Sequence, residues 1–231
     1  NMEVMPLKAM YPQGGEKVLI YHVTGEKVPE GKLPLDVGAV VLNCTTISSI
    51  ARYCTTGLPL VKKCVTVDGS AVKNPMNVLV PIGMRMKDVF EATGGFKEEP
   101  KMVLYGGPMM GIAVPDLEQP ILKNTNAILA FGEAEATPPE PTACIKCGKC
   151  IAHCPLSLMP CEMETAYKKG NIERLMHLKV NLCMECGCCS FICPAHRPLV
   201  QTNKLAKAQV MAYKNALKAK AEAEKQKEAA K

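Results

Sequence analysis

Residues 144–155 read CIKCGKCIAHCP, and residues 183–194 read CMECGCCSFICP. Both have the form C-x2-C-x2-C-x3-C-P: Cys144, Cys147, Cys150, Cys154 and Pro155, then Cys183, Cys186, Cys189, Cys193 and Pro194. A [4Fe-4S] cube takes one thiolate at each of four corners. A loop with a cysteine at every third residue wraps three corners, while a fourth cysteine on the following helix points elsewhere. In two-cluster ferredoxins that fourth cysteine ligates the other cluster. The spacing therefore predicts interleaved sets, with Cys144, Cys147, Cys150 and Cys193 for one cube and Cys183, Cys186, Cys189 and Cys154 for the second. A zinc site would use two C-x2-C pairs per metal, which neither run offers simply. Disulfides would leave one of the thirteen cysteines over and would need an oxidising compartment. Cys161 and Cys188 fall outside the spacing and read as bystanders. His153 and His196, beside the runs, read as packing or surface residues.

The two runs lie far enough apart to set the class of module. The 28 residues between Cys154 and Cys183 hold two helical stretches, MPCEMETAYKKG and NIERLMHLKV. This predicts an α-helical two-cluster ferredoxin domain over residues 144–202 rather than a compact β one. Residues 135–143 form a proline- and glutamate-rich linker before it. Residues 203–231 follow as a Lys/Ala-rich helical tail, a candidate for docking on acidic partners or anionic lipid.

Charge is concentrated in that tail. Of the formal +6, the stretch from Asn203 onward carries eight lysines against three glutamates, so the rest of the chain is close to neutral. No basic patch interleaved with aromatics exists, which argues against nucleic-acid binding. No apolar run approaches the ~20 residues that cross a bilayer, and no secretory leader opens the chain. The chain starts at Asn1 with a recognisable element almost at once, and the expectation is a trimmed chain.

The front half reads as α+β. YHVTGEKV is a short alternating segment with a turn at Gly25, and GAVVLN (38–43) is an apolar run of strand length, of the kind buried on both faces. TTISSIARYCTTG runs helically, with Ile47, Ile50, Ala51 and Cys54 on one side and Gly57 as its stop. Residues 1–60 thus look like the tail of an α/β domain. Residues 61–134 change pattern: KCVTVDGSAV is a hairpin signal around Asp68-Gly69, NVLVPIG, KMVLYGG and NAILAF are strands, and MKDVFEATGG is a short helix. A few strands around one helix predict a β-grasp-like module. Neither G-x-G-x-x-G nor G-x-x-x-x-G-K-[ST] occurs, so Rossmann and Walker loops are absent. GGPMMG (106–111) reads as a tight turn where backbones approach closely.

YPQGGEKVLI, TGEKVPEGKLPLDVG, VLNCTTISSI, CVTVDG, YGGPMMG and the two cysteine runs, in that order, closely resemble the RnfC family of the Rnf electron-transport complexes. The resemblance covers all but the lysine-rich tail. It implies a peripheral subunit on the cytoplasmic side of a bacterial membrane complex. That complex exchanges electrons between ferredoxin and NAD and couples this to Na+ or H+ translocation. The resemblance also implies an FMN/NADH domain like the flavoprotein subunit of respiratory complex I, then a soluble-ligand-binding β-grasp domain, then two [4Fe-4S] clusters. The family's glycine-rich flavin and nicotinamide loops are missing here, so FMN and NADH are expected only with the full-length protein. By the same analogy, Tyr11, Gly14, Glu16, Asn43 and Thr46 would lie on the flavin/nicotinamide rim. Gly15 stands where the relative has an acidic residue. Residue by residue, the glycine pair makes a turn and Asn43 caps the helix after it. A soluble reductase of related architecture, such as the cobalamin reductase of propanediol utilisation or the electron-transfer protein of proline reductase, is the alternative.

Overall fold

The computed structural model describes residues 2–229. They form two compact units. One joins the chain up to Val40 with the chain from Glu140 onward, and the other is Val41–Pro139. In the first unit, YHVTGEKV is not an alternating segment: its first four residues complete helix α1 (Glu16–Thr24), whose buried side chain is Ile20. Gly25 then takes a left-handed conformation and donates its N–H to the Tyr21 carbonyl, closing the helix. GAVVLN forms no strand, and Val40 and Leu42 are exposed. Apolar composition favours burial, but a strand also needs a partner for its N–H and C=O groups, and this segment pairs with none.

The second unit begins with helix α2 (Cys44–Thr56), held as expected between Asn43 and Gly57. Asn43 Oδ1 accepts from the Thr45 N–H at 2.9 Å, the usual work of an N-cap asparagine. The apolar side of α2 is open: Ile47, Ile50 and Tyr53 are exposed. The sheet follows, with strands β1 (Lys62–Asp68), β2 (Met76–Pro81), β3 (Met102–Tyr105), β4 (Ile112–Ala113) and β5 (Ala127–Phe131), and helices α3 (Met86–Ala92) and α4 (Glu133–Ala136). The strand order is β2-β1-β5-β3-β4. β1 runs antiparallel to β2, with Val65 opposite Val78, and parallel to β5, with Val67 opposite Ile128. A hairpin, a helix and a central parallel pair made by the first and last strands form the β-grasp arrangement expected for this region. The hairpin itself differs from the sequence reading. The chain turns at Asp68-Gly69, but the second strand starts only at Met76.

The core of this unit lies between the sheet and α3. Val65 and Val67 project from β1 onto Met86, Val89 and Phe90, and Ile128 and Ala130 come from β5. Alternation along β1 supplies its share because successive side chains face opposite sides. Phe90 stacks obliquely on Phe96 with ring centroids 4.8 Å apart. Gly69 is required where β1 ends: its φ is +118°, and a Cβ there would meet the Ala130 carbonyl oxygen at 2.1 Å. Only glycine adopts that backbone comfortably while a neighbouring chain passes so close. The GGPMMG turn joins β3 to β4, and Gly111 donates its N–H to the Gly107 carbonyl at 2.7 Å.

From Glu140 the chain is helical: α5 (Lys149–Ala152), α6 (Pro160–Lys168), α7 (Ile172–His177), a 3-10 turn (Val180–Leu182), α8 (Cys188–Phe191) and α9 (Leu199–Ala229). The two helical stretches expected between the runs are α6 and α7. Leu158, Met163 and Ala166 meet Leu175, Val180, Ala206 and Val210 in one core between α6, α7 and α9. Beyond Val210 the described side chains of α9 are exposed or half-buried, which fits their lysine-rich composition.

Gly69→Ala should lower the stability of the sheet unit by about 1–3 kcal/mol from backbone strain, with the clash on Ala130 adding to it. The check is the denaturant midpoint of the sheet transition against wild type; an unchanged midpoint would mean that Gly69 is not required there.

Candidate metal centre

The two cysteine runs fold as copies of each other, displaced by a constant 39 residues (144 to 183). In each, a non-glycine residue before the second cysteine is left-handed, Lys146 at φ 55° and Glu185 at φ 60°. In each, the glycine after that cysteine is left-handed too, Gly148 at φ 73° and Gly187 at φ 84°. Left-handed residues curl a loop tightly and turn its backbone N–H groups inward. Each loop then enters a one-turn helix, α5 capped by Gly148 and α8 capped by Gly187. Beyond each proline a third left-handed residue, Ser157 and His196, sends the chain into α6 and α9.

This geometry carries Cys154 away from the loop that precedes it. Cys154 lines one cavity with Cys183, Cys186 and Cys189, together with Leu158, Pro160, Val200 and Asn203. These include the four cysteines assigned from spacing to the second set, and Cys188, outside the spacing, lines the same cavity. Cys189 and Cys186 are buried, and burial, followed by the nearby Cys183, pushes the Cys189 thiol up to about 12. A thiol buried this way holds its proton tightly, and a metal bound there would have to displace it. The convergence of these cysteines on one cavity is what suits the donor set to a thiolate-bound metal group.

Polar groups surround this second set. Asn203, at 1% exposure, directs its Nδ2 at Cys183 Sγ over 3.8 Å, while its Oδ1 has no partner. Lys207 Nζ donates to the Cys183 carbonyl at 2.9 Å and to Glu185 Oε1 at 2.5 Å. The Leu158 N–H points at Cys154 Sγ at 3.4 Å. The Tyr11 hydroxyl donates to the Cys186 carbonyl at 2.5 Å. Burial, then the neighbouring Cys186 and Cys188, raises the Tyr11 phenol above its ordinary value.

The first set is more open. Cys144 and Cys147 are exposed, whereas Cys150 and Cys193 pack with Cys189, Leu199 and Val200 in one apolar cluster that adjoins the second set. Cys150 faces Cys161 and Cys144, and its thiol is pushed up to about 11, first by burial and then by Cys161. The two cysteines outside the spacing thus stand beside the sets: Cys161 against Cys150, and Cys188 near Cys186 and Cys154. Among the described residues, no three His, Cys, Asp or Glu side chains close around a point that one metal ion would fill. A cube differs from an ion because its ligands stand at separate corners.

A buried ion pair ties the two repeats together. Glu164 on α6 has a side chain 2% exposed, and Arg197 in the turn after Cys193 places Nε and Nη2 each 2.7 Å from its Oε2. Lys168 Nζ lies 2.8 Å from Oε1. Arg197 also donates to the Thr142 carbonyl at 3.0 Å, holding the chain just ahead of Cys144. Composition and motif reading missed Glu164, Arg197, Asn203 and Lys207. The repeat shift was the available signal: it pairs Glu164 with Asn203 and Lys168 with Lys207.

The five residues placed on a flavin/nicotinamide rim fall in different units. Tyr11, Gly14 and Glu16 belong to the first, with Glu16 opening α1, where an acidic side chain suits the helix N-terminus. Asn43 and Thr46 belong to the second, in the cap and first turn of α2. Gly14 has open space where a Cβ would stand, whereas a Cβ on Gly15 would meet the Met184 side chain at 2.4 Å.

Fold and site together define an α+β protein in which a β-grasp-like sheet is joined to a helical module built on two repeated cysteine runs. Residues 1–52 match the Nuo51 FMN-binding domain and residues 64–113 the SLBB domain. The chain is 40% identical over 214 residues to the C subunit of the Na(+)-translocating ferredoxin:NAD(+) oxidoreductase complex of Acetobacterium woodii, covering 93% of the chain and 48% of that protein. It is 44% identical over 160 residues to the C subunit of the proton-translocating ferredoxin:NAD(+) oxidoreductase complex of Clostridium ljungdahlii, covering 69% and 35%. With the C subunit of the ion-translocating oxidoreductase complex of Rhodobacter capsulatus it shares 37% over 210 residues, covering 91% and 40%. The chain belongs to the RnfC family that these relatives represent, and it spans between about a third and a half of their length.

Removing Arg197 would leave Glu164 buried against Lys168 alone. Arg197→Leu should cost about 3 kcal/mol, as expected when one partner of a buried pair is lost. Lys168→Met, at an exposed ammonium, should cost about 0–1 kcal/mol. Anaerobic denaturation of both variants checks the contrast, and equal costs would contradict the assignment of the buried pair to Arg197.

Proposed function

We propose that this chain is an electron-transfer part of the RnfC-type subunit in an ion-translocating ferredoxin:NAD oxidoreductase complex. It would hold two [4Fe-4S] clusters, one on Cys144, Cys147, Cys150 and Cys193 and the other on Cys183, Cys186, Cys189 and Cys154. The observation that carries this reading is the cavity in which Cys154, from the first run, joins Cys183, Cys186 and Cys189 from the second. A cube takes up and releases one electron at a time at low potential. The protein's own part is to hold eight thiolates in place, keep water from the second set with Leu158, Pro160 and Val200, and aim Asn203 and Lys207 at Cys183. The adjacency of Cys150, Cys193 and Cys189 in one apolar cluster supports electron exchange between the two sets.

Hydride chemistry with NADH and FMN belongs, on this reading, with the full-length protein. Residues 1–52 supply only the part of the flavin domain that they match. The partners are the other subunits of the membrane complex, with ferredoxin and NAD(H) reached through that complex. No described helix is long and apolar enough to cross a membrane, which supports peripheral attachment; the cytoplasmic face is the side where NADH and ferredoxin are available. The coupling ion is Na+ or H+, the two that the relatives' names carry.

Anaerobically prepared protein should contain about eight irons and eight sulfides per chain, with two interacting signals in the electron paramagnetic resonance spectrum after dithionite. Cys154→Ser and Cys183→Ser should each disturb the same one of the two signals, whereas Cys150→Ser and Cys193→Ser should disturb the other. Stoichiometric zinc, or Cys154 pairing with Cys150 in this comparison, would overturn the proposal.

A further inference from the structure

Residues 10–28 do not merely precede the cysteine module in sequence; they lie against one side of it. Met10, Tyr11, Lys17, Tyr21 and Val28 line a groove whose other wall includes His153, Cys154 and Ser157. Gly15 sits so near Met184, next to Cys183, that a side chain there would have to displace it. Glu30 pairs with Lys179, ahead of the second run, at 2.9 Å. The most direct contact is the 2.5 Å hydrogen bond from the Tyr11 hydroxyl to the Cys186 carbonyl. These contacts converge on the second cysteine set. The repeat makes the comparison internal: Cys147 is the counterpart of Cys186, and among the described residues no side chain donates to the Cys147 carbonyl.

We infer that Tyr11 tunes the second set without holding it in place: its hydrogen bond to the Cys186 carbonyl sets the potential at which the group held there accepts an electron. The inference rests on the cluster assignment proposed above. A donor on a ligand's own peptide draws electron density from the ligating loop. The reduced group carries one more negative charge than the oxidised one and gains more from that donor, so the donor raises the potential. Lys207, which donates to the Cys183 carbonyl on the same set, acts in the same direction. Tyr11 therefore makes one of two nearly repeated sites respond to the chain segment that matches the flavin domain, and leaves the other site untouched.

The test is an anaerobic redox titration of the cluster-loaded chain followed by electron paramagnetic resonance, with iron and sulfide counted on the same samples. Tyr11→Phe removes the hydroxyl and keeps the ring. One of the two midpoint potentials should fall and the other should hold, at unchanged iron content. Lys207→Met should lower that same midpoint. If neither midpoint moves, if both move equally, or if the two variants move different midpoints, the inference is overturned. Loss of one cluster's iron in Tyr11→Phe would overturn it as well, because Tyr11 would then hold the loop rather than tune it. Wild-type protein without eight irons would instead defeat the cluster assignment itself, which separates the two failures.

Discussion

On the proposed assignment each cysteine run ends on a cysteine that the run itself does not use. The one-turn helices α5 and α8 carry Cys154 and Cys193 away from the loops that precede them, and a helical turn advances the chain by about 5.4 Å. Cys154 then finds Cys183, Cys186 and Cys189. On the proposed assignment neither set is complete without a residue from the other run, which would require the two halves of the module to fold together. The rest of the helical unit answers that requirement. Pro155 and Pro194 turn the chain, α6 and α9 follow, and their apolar sides close over α7 in a shared core.

Glu164 shows what this packing demands of polar residues. A carboxylate at 2% exposure is tolerated only when paired and hydrogen-bonded, and Arg197 supplies the pairing from the opposite repeat. At the matching position of the second repeat stands Asn203, which directs its amide at a cysteine sulfur. Lys168 neutralises Glu164, whereas its counterpart Lys207 reaches a cysteine carbonyl. One backbone pattern thus serves two sites with different polar neighbours. In iron–sulfur proteins, hydrogen bonds and solvent exposure are among the levers that separate potentials.

The sheet unit depends on its own central pair. β1 lies between β2 and β5 and gives Val65 and Val67 to the core, while Gly69 lets β5 pass its end. Much of this was legible in the sequence, because strands with alternating apolar residues and a helix closed by Gly94-Gly95 declare themselves locally. Helix α2 was legible for the same reason, through Asn43 and Gly57. Two segments were not. GAVVLN has the composition of a buried strand but no partner, and YHVTGEKV looked extended although its first half continues a helix begun at Glu16. Pairing and helix continuity are decided outside a short window, so local composition misread both.

The sequence by itself determined the cysteine spacing, the likeness of the two runs and the family, since ligand spacing and motif order are properties of the chain alone. It pointed to Tyr11, but on the flavin side. Only the tertiary structure decided that Tyr11 reaches Cys186, that Glu164 and Arg197 join the repeats, and that Asn203 and Lys207 attend Cys183. These contacts bring together residues from 20 to 175 positions apart. Hydrogen bonds depend on distance and angle in space, and no pattern along the chain encodes them.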